Sequence, residues 1–392
     1  MKIVSVMTTH SAGGAEFAAV ELLDALADDG HEVVMVSNQP GIGRGTAVRV
    51  HPVDLGPKLS VGTWRRLVLG FPRLAVALRR ALREVGPADV LLVHYKKEQL
   101  LAGLLSRRLA PRVVWAEWGP VPHPLRQGLP RALYLAAARR AAAVMAISEG
   151  TRRSVAGVGV PAAKVTVVPN VMRADDLRFT SEGRRRVRER LGIPADAFVV
   201  GAVSRFHPKK RNDVVVDATV ALARAAAAEG PDGGPEVHLV LGGSGETEAD
   251  LRRRAEPLGE RAHFLETPGD DVAEVYSAFD VSVFCPSPTE GAPRAVILGM
   301  LAGRACVSTG AEGVADLIPD DGGRILSPEN DVEALRAVLA QYRDDPDLRA
   351  RHGAVAEDYA VRTYDRAVVA ARAEEVLLGR ARPRIPEEAR GL

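Results

Sequence analysis

Short runs of β-branched and other apolar residues alternate along this chain with longer stretches whose apolar positions recur at helical spacing. "KIVSVM" opens the series, a helix is predicted from Glu16 to Asp28, and "HEVVMVS" follows. "ADVLLVHY", "RVVWAEW", "AAVMAIS" and "KVTVVPN" continue it. Strands buried on both faces read as continuous apolar runs, and helices between them imply parallel crossovers. The first half is therefore expected to be a doubly wound α/β domain.

Around residues 172–196 the pattern dissolves into charge, "RADDLRFTSEGRRRVRERLGIPADA", which reads as a linker and a short surface helix. The alternation then restarts with "FVVGAVSRF", a helix over 212–228, "EVHLVLGG", a helix over 246–258, "AHFLE", a helix over 271–278, "DVSVFCPS", a helix from Pro293, "RACVST" and "GRILS". A second doubly wound domain of similar size is predicted. Helices fill 331–359, and another runs from about 364 to 378. The expected divisions are 1–175, 176–360, a helix over 361–378 and a disordered tail, "GRARPRIPEEARGL", over 379–392.

Composition narrows the function classes. A chain of 392 residues has room for two or three domains with good cores. A formal net charge of +2 gives no reason to expect nucleic acid. Cys285 and Cys306 make neither a metal-ligand spacing nor a disulfide framework, which suits a reducing cytoplasm. The run Ile3 to Met7 is too short for a signal-peptide core, and no run of about 18 apolar residues exists to span a membrane. Residues 64–84, "WRRLVLGFPRLAVALRRALRE", mix Arg with apolar side chains. Pro72 is expected to interrupt this helix, whose second half packs on the sheet. Such a helix also suits an anionic membrane surface. The expectation is a cytoplasmic protein, with peripheral contact at the inner face of the membrane left open.

In open α/β sheets, ligands bind beyond the carboxyl ends of the strands. Those ends fall after Met7, His94, Trp118, Ser148, Asn170, Ser204, Leu241, Phe284 and Ser308. Several carry features suited to phosphate. "HSAGGAEF" puts Gly13 and Gly14 at a strand-to-helix turn, where backbone amides approach an anion, although a plain tight turn explains them equally. No Lys-Ser/Thr follows, so it is not a Walker A loop, and a third glycine is absent, so it is not a dinucleotide fingerprint. "VSRFHPKKR" sets Arg205 at a strand end with Lys209, Lys210 and Arg211 just beyond. An Arg fork with a Lys point charge suits a diphosphate; a solvated charge run is the alternative. "VLGGSGETE" places Gly243 and Gly245 after another strand. "PSPTEGAPRA" puts Glu290 before a helix N-terminus, with the amides of Gly291 and Ala292 beside it. Asp345 and Asp347, the only Asp-x-Asp, read as a surface helix start rather than a metal site.

The order and spacing of "GGAE", "GHEV", "AISEGTRRSV", "VPN", "R-F-x-P-x-K", "G-x-G", "YSAFDVSVFCPS" and "PSPTEG" resemble the retaining glycosyltransferases of the two-domain GT-B fold, family 4, over almost the whole chain. The resemblance implies two Rossmann-like domains facing a central cleft, with the C-terminal helix returning toward the N-terminal domain. It implies a nucleotide-diphosphate sugar, of UDP or GDP type, held mainly by the second domain, and an acceptor entering from the first. Arg205 and Lys210 match the pair that binds the donor diphosphate, where Lys210 offsets charge on the departing phosphate. Glu290 matches the first acid of the family's Glu-x7-Glu motif and meets the donor sugar. Gly13 and Gly14 match the loop that closes over the donor. The implied reaction is front-face substitution with retention, in which the leaving phosphate oxygen takes the acceptor's proton. It needs no second carboxylate, unlike retaining hydrolases, and no metal. The acceptor is a small molecule or a lipid-linked sugar, nucleic acid is not expected, and the protein is a monomer or homodimer.

Four positions depart from the family pattern. The second motif acid, which grips the nucleotide ribose, is replaced by Leu298. A motif glycine is replaced by Pro293, followed by Arg294 as a new anion contact or a solvated helix residue. A His near the reacting sugar is replaced by Trp118, with His94 and His123 as the nearest substitutes in sequence. "Asn-Gly-Val-Asp" is replaced by Asn170-Val171-Met172-Arg173. Two readings follow: an active transferase with an unusual donor or acceptor, or a subunit that has lost catalysis. A phosphorylase or epimerase on the same architecture is a weaker third.

Overall fold

The structure, a computed structural model, describes residues 1–9, 14–56, 64–105, 112–230, 234–266, 269, 271–287, 290–311, 313–327 and 332–380. They form two compact units, one of Met1–Met172 with the chain from Arg366 onward, the other of Arg173–Asp365. The chain thus crosses at 172/173 and 365/366, where the sequence suggests 175/176 and 360/361.

The first unit holds seven parallel strands: β1 (Lys2–Val6), β2 (Glu32–Ser37), β3 (Arg49–Pro52), β4 (Val90–Val93), β5 (Arg112–Glu117), β6 (Ala143–Ala146) and β7 (Val165–Val167), in the order β3-β2-β1-β4-β5-β6-β7. Its helices include α1 (Gly14–Asp28), α2 (Trp64–Val85), α3 (Lys96–Leu105), α4 (Gly128–Ala138) and α5 (Glu149–Val158). The inner strands are apolar on both faces because helices cover both, and two buried clusters flank the sheet. β3 escapes the sequence pattern. It is a short edge strand, "RVHP", with little buried surface to mark it. Pro72 does not interrupt α2, contrary to expectation. Its ring is exposed, while Ala75, Leu78, Ala81, Leu82 and Val85 bury one stripe of the same helix, so packing offsets the lost backbone bond.

The second unit begins with α6 (Ser181–Leu191) and builds a six-stranded parallel sheet from β8 (Phe198–Val203), β9 (Val237–Gly242), β10 (Ala262–Leu265), β11 (Val281–Phe284), β12 (Ala305–Thr309) and β13 (Gly323–Leu326). The order is β10-β9-β8-β11-β12-β13. Between and after the strands lie α7 (Asn212–Ala228), α8 (Glu248–Ala255), α9 (Val272–Ala278), α10 (Arg294–Leu301), α11 (Val332–Asp344) and α12 (Pro346–Tyr364). Pro293 is the N-cap of α10 with extended backbone, so the helix starts one residue later than expected. Asp345 caps α12, its side chain accepting from the Leu348 amide.

α6 is more than a surface helix. Arg188 is buried and donates to Asp280 Oδ2 at 2.8 Å and to the carbonyls of Ala278, Pro194, Ala195 and Ala197. Arg184 donates to Asp280 Oδ1 at 2.9 Å, and the Val199 amide donates to Asp280 Oδ2 at 2.7 Å. Burial raises the Asp280 carboxyl, but Arg184 and Arg188 outweigh it and hold the group below the usual carboxylate range. The charge run thus anchors the start of this unit to the amino end of β11.

The last helix, α13 (Arg366–Leu378), returns to the first unit, where Val369, Ala370, Ala373, Val376 and Leu377 join the core beside α1. Gly379, at φ +76°, and the Arg380 amide, which donates to Glu375 O at 2.8 Å, cap it. These two residues therefore belong to the helix end rather than to the expected disordered tail. The rest of that tail, 381–392, lies outside the described residues.

Candidate active site

In each sheet the strand order reverses once, between β1 and β4 and between β8 and β11. A doubly wound sheet opens its binding crevice at such a switch point. In the second unit, Arg205 and Lys210 follow β8 and Glu290 follows β11, so both loops start at the switch.

The two loops are joined. Lys210 Nζ donates to Glu290 Oε1 at 2.6 Å, and the Ser287 amide donates to Lys209 O at 2.9 Å. The Lys210 ammonium also lies over the Phe284 ring, 5.2 Å from its centroid. Both ends of the ion pair are about four-fifths buried, at 20% and 18% exposure. The pair draws little stability from such a site, but it fixes where the ammonium stands. Arg205 is exposed, and among the described residues its guanidinium makes no hydrogen bond or ion pair.

The Arg205 loop is itself pinned. Ser204 Oγ donates to Asn212 Oδ1 at 3.1 Å, closing the loop at its ends, and Phe206 is buried edge-on against Phe264. The backbone of Ser204 and Phe206 lies directly against Gly243 and Gly245. A Cβ on Gly243 would stand 2.0 Å from Ser204 O, and one on Gly245 would stand 2.3 Å from Phe206 O. Their φ angles, +144° and +148°, also exclude most side chains. These glycines hold the arginine loop at its position. A similar close approach occurs under Glu290, where a Cβ on Gly313 would meet Gly291 O at 1.5 Å. Gly291, Ala292 and Arg294 are half-buried there. Leu298, on α10, is half-buried rather than buried, and it packs on the cluster of Val199, Val240 and Phe279.

In the first unit, the switch gathers polar groups that the sequence pattern did not single out. Tyr95 donates to Glu16, Lys96 pairs with Glu117, and Tyr134 Oη donates to Glu117 Oε1 at 2.9 Å. Lys97 lies 3.6 Å from buried Glu98, which accepts from Thr8. Burial pushes the Glu98 carboxyl up and lowers Lys96 and Lys97, the last two against the pull of their carboxylate partners. The signal was present in "HYKKEQ", six polar residues placed directly after an apolar strand.

The structure joins His94 to Trp118. The indole Nε1–H donates to His94 Nδ1 at 3.0 Å, and His94 Nε2 lies 2.7 Å from Ser5 Oγ. An indole is only a donor, so Nδ1 is the bare nitrogen and Nε2–H donates to the hydroxyl. Burial lowers the His94 pKa to about 3. Both ring nitrogens are engaged, so His94 is a neutral, fixed core histidine. His123 is exposed on a 3-10 turn, His123–Leu125, and meets neither ring. Gly14 opens α1, and nothing lies within 4 Å of the place a Cβ would take there, whereas Gly13 lies outside the described residues. Among the described residues no group of three or more His, Cys, Asp or Glu could hold a metal ion, and no helix is long and apolar enough to cross a membrane.

Residues 12–175 match the model of Glycosyltransferase Family 4, and residues 197–345 match that of Glycosyl transferases group 1. A D-inositol 3-phosphate glycosyltransferase of Stackebrandtia nassauensis is 28% identical over 388 residues, covering 90% of this chain and 84% of that one. A GDP-mannose-dependent alpha-(1-6)-phosphatidylinositol monomannoside mannosyltransferase of Mycolicibacterium smegmatis is 26% identical over 337 residues, covering 81% and 83%. Another match, at 32% over 212 residues, spans only about half of its relative, 47%. Among solved structures, Anabaena Alr3699/HepE in complex with UDP aligns over 97% of this chain and 100% of that one, with a TM-score of 0.78 and 20% identity, a likeness of fold. The fold and the two matched models define a GT-B glycosyltransferase. The chain belongs to glycosyltransferase family 4.

Proposed function

We propose that this protein is a retaining glycosyltransferase that moves a sugar from a nucleotide-diphosphate sugar to an acceptor hydroxyl or amine, without a divalent metal. The observation that carries the reading is the Lys210–Glu290 pair at the β8/β11 switch, with the Arg205 guanidinium exposed on the adjoining loop. Arg205 and Lys210 would take the donor diphosphate. Lys210 would offset the charge that grows on the departing phosphate, where a preorganised cation helps most. Glu290 would accept from the hydroxyls of the donor sugar. The leaving phosphate oxygen would take the acceptor's proton as the new bond forms on the face the phosphate leaves. A UDP or GDP donor is supported by the family and by the GDP-mannose-dependent relative. The inositol-phosphate and phosphatidylinositol mannoside relatives favour a polyol acceptor, free or on a lipid, and the first unit is proposed to take it.

A specific observation favours a second reading. Leu298 packs on an apolar cluster at the place of the ribose acid, and Trp118 occupies His94, so two polar groups of the family site are spent or absent. A subunit impaired in catalysis fits that.

A thermal-shift titration with UDP, GDP, ADP and dTDP, with EDTA present, tests both on the wild type and on Lys210→Ala. Binding at a hundredfold excess over Kd stabilises by about 2.7 kcal/mol. A shift with one nucleotide, lost in the variant, supports the donor site. No shift with any of them overturns the transferase reading. Binding without turnover of the matching sugar nucleotide would favour the impaired subunit.

A further inference from the structure

Arg211, the residue after Lys210, has a backbone that its side chain disfavours. Its φ is +48° and its ψ is +41°, the left-handed region. Among the described residues fourteen glycines take positive φ, and only two other residues do, Arg211 and Asp321. Asp321 is an exposed turn aspartate, a type that tolerates this conformation by bonding to its own backbone. Arginine has no such compensation, and glycine would fit the turn without strain. Strain of this kind persists where the side chain is needed.

The position explains the need. Arg211 is half-buried at the N-cap of α7, a 17-residue helix, directly after Lys210. The guanidinium lies toward the carboxyl end of β11. Burial pushes the Cys285 thiol there up to about 12, and the Arg211 charge opposes that rise. Cys285 opens the loop that carries Glu290. Arg211 therefore belongs to the same strand-end group as Arg205, Lys210 and Glu290. With Lys210 bonded to Glu290, these two charges largely cancel. Arg205 and Arg211 then leave the group doubly positive, which matches a doubly charged pyrophosphate.

We infer that Arg211 is a further diphosphate ligand, held in a strained turn so that its guanidinium reaches the phosphates of the donor. This rests on the donor-site reading above. Arg211→Gly removes both the strain and the charge, whereas Arg211→Ala removes the charge and keeps the strain.

The test is calorimetric titration of the wild type, Arg211→Gly, Arg211→Ala and Lys210→Ala with UDP, UMP, GDP and GMP, together with melting curves. Both Arg211 variants are expected to bind the diphosphate that the wild type prefers about tenfold more weakly, with a smaller loss for its monophosphate. Arg211→Gly alone is expected to melt higher, by about 2 °C. Diphosphate binding within twofold of wild type in either variant overturns the assignment, provided Lys210→Ala has lost it. An equal loss of diphosphate and monophosphate also overturns it, because the side chain would then act through the loop's shape. If the wild type binds none of the four nucleotides, the donor reading falls and takes this assignment with it.

Discussion

Lys210 and Glu290 stand 80 residues apart in the chain and 2.6 Å apart in the fold, at the one place where the second sheet reverses its strand order. The ammonium is held from two sides, by the carboxylate and by the Phe284 ring. Such a cation is in position before charge develops, and so needs no reorganisation during reaction. Lys210→Ala is expected to lower kcat by about 10²–10³-fold, the usual cost of removing one preorganised group. Glu290→Gln keeps the shape and removes the charge, and is expected to lower kcat while leaving the nucleotide's Kd within a few fold. Initial rates of sugar-nucleotide turnover, with binding measured separately, check both. A Glu290→Gln enzyme as fast as wild type would remove the carboxylate from the chemistry.

Gly243 and Gly245 make a prediction in which stability and binding change together. A Cβ at either position must displace the backbone of Ser204 or Phe206, because no flexible side chain is there to yield. Gly243→Ala is expected to cost at least about 2 kcal/mol and to weaken nucleotide binding by displacing Arg205. Urea unfolding followed by circular dichroism, with nucleotide titration of the folded variant, checks this. A variant with wild-type stability would show that the loop can move aside.

The inner strands and the strand-end loops were legible because burial on both faces writes itself into consecutive apolar residues, and because Gly, Pro and charge mark where strands stop. Both residues of the Lys210–Glu290 pair could be singled out, yet their contact could not, since neither periodicity nor spacing encodes a partner 80 residues away. The same blindness hid Arg188. "RRRVRERL" has the look of a solvated helix, and only the fold brings Asp280, 92 residues later, under it. β3 was lost for the opposite reason: an edge strand buries too little to carry a pattern. Trp118 was read as the loss of a polar group. The structure shows a donor whose partner, His94, comes from the neighbouring strand end.

Asp280 gives a prediction about acid. Its folded pKa lies below the unfolded value of about 3.9, so its contribution to stability is fully present above that value. The contribution is lost as pH falls toward and through the folded pKa. Asp280→Asn should therefore flatten the stability curve of the second unit below about pH 4. Asp280→Ala leaves Arg188 buried without its carboxylate and is expected to cost about 3–5 kcal/mol. All three tryptophans, at 64, 115 and 118, lie in the first unit, so the measurement needs amide hydrogen exchange of the α6 and β11 region rather than indole fluorescence. An unchanged acid limb in Asp280→Asn would mean the carboxylate contributes nothing there.

His94 predicts a pH dependence in the first unit over a different window. Its folded pKa is lowered to about 3, whereas an unfolded histidine titrates near 6.5. Between these values the unfolded chain binds the extra proton, so stability rises with pH across the window and is fully present above about 6.5. As pH falls from there, the first unit should lose up to about 1.4 kcal/mol per pH unit from this one group, until the folded histidine itself protonates. His94→Gln carries no titrating group, and its slope over pH 4–6.5 should be shallower by that amount. Trp118→Phe tests the other half of the pair. It removes the indole donor, leaves Nδ1 without its partner, and gives a proton a place to bind, so the folded pKa should move up toward 6.5 and the slope should shrink. Urea unfolding from pH 4 to 8, followed by tryptophan fluorescence, reads both variants, because Trp115 remains in Trp118→Phe and both Trp115 and Trp118 remain in His94→Gln. A wild-type slope no steeper than that of His94→Gln would show that the imidazole is not held neutral. It would then be available for proton transfer at the strand ends of the first unit, which its bond to Trp118 otherwise denies it.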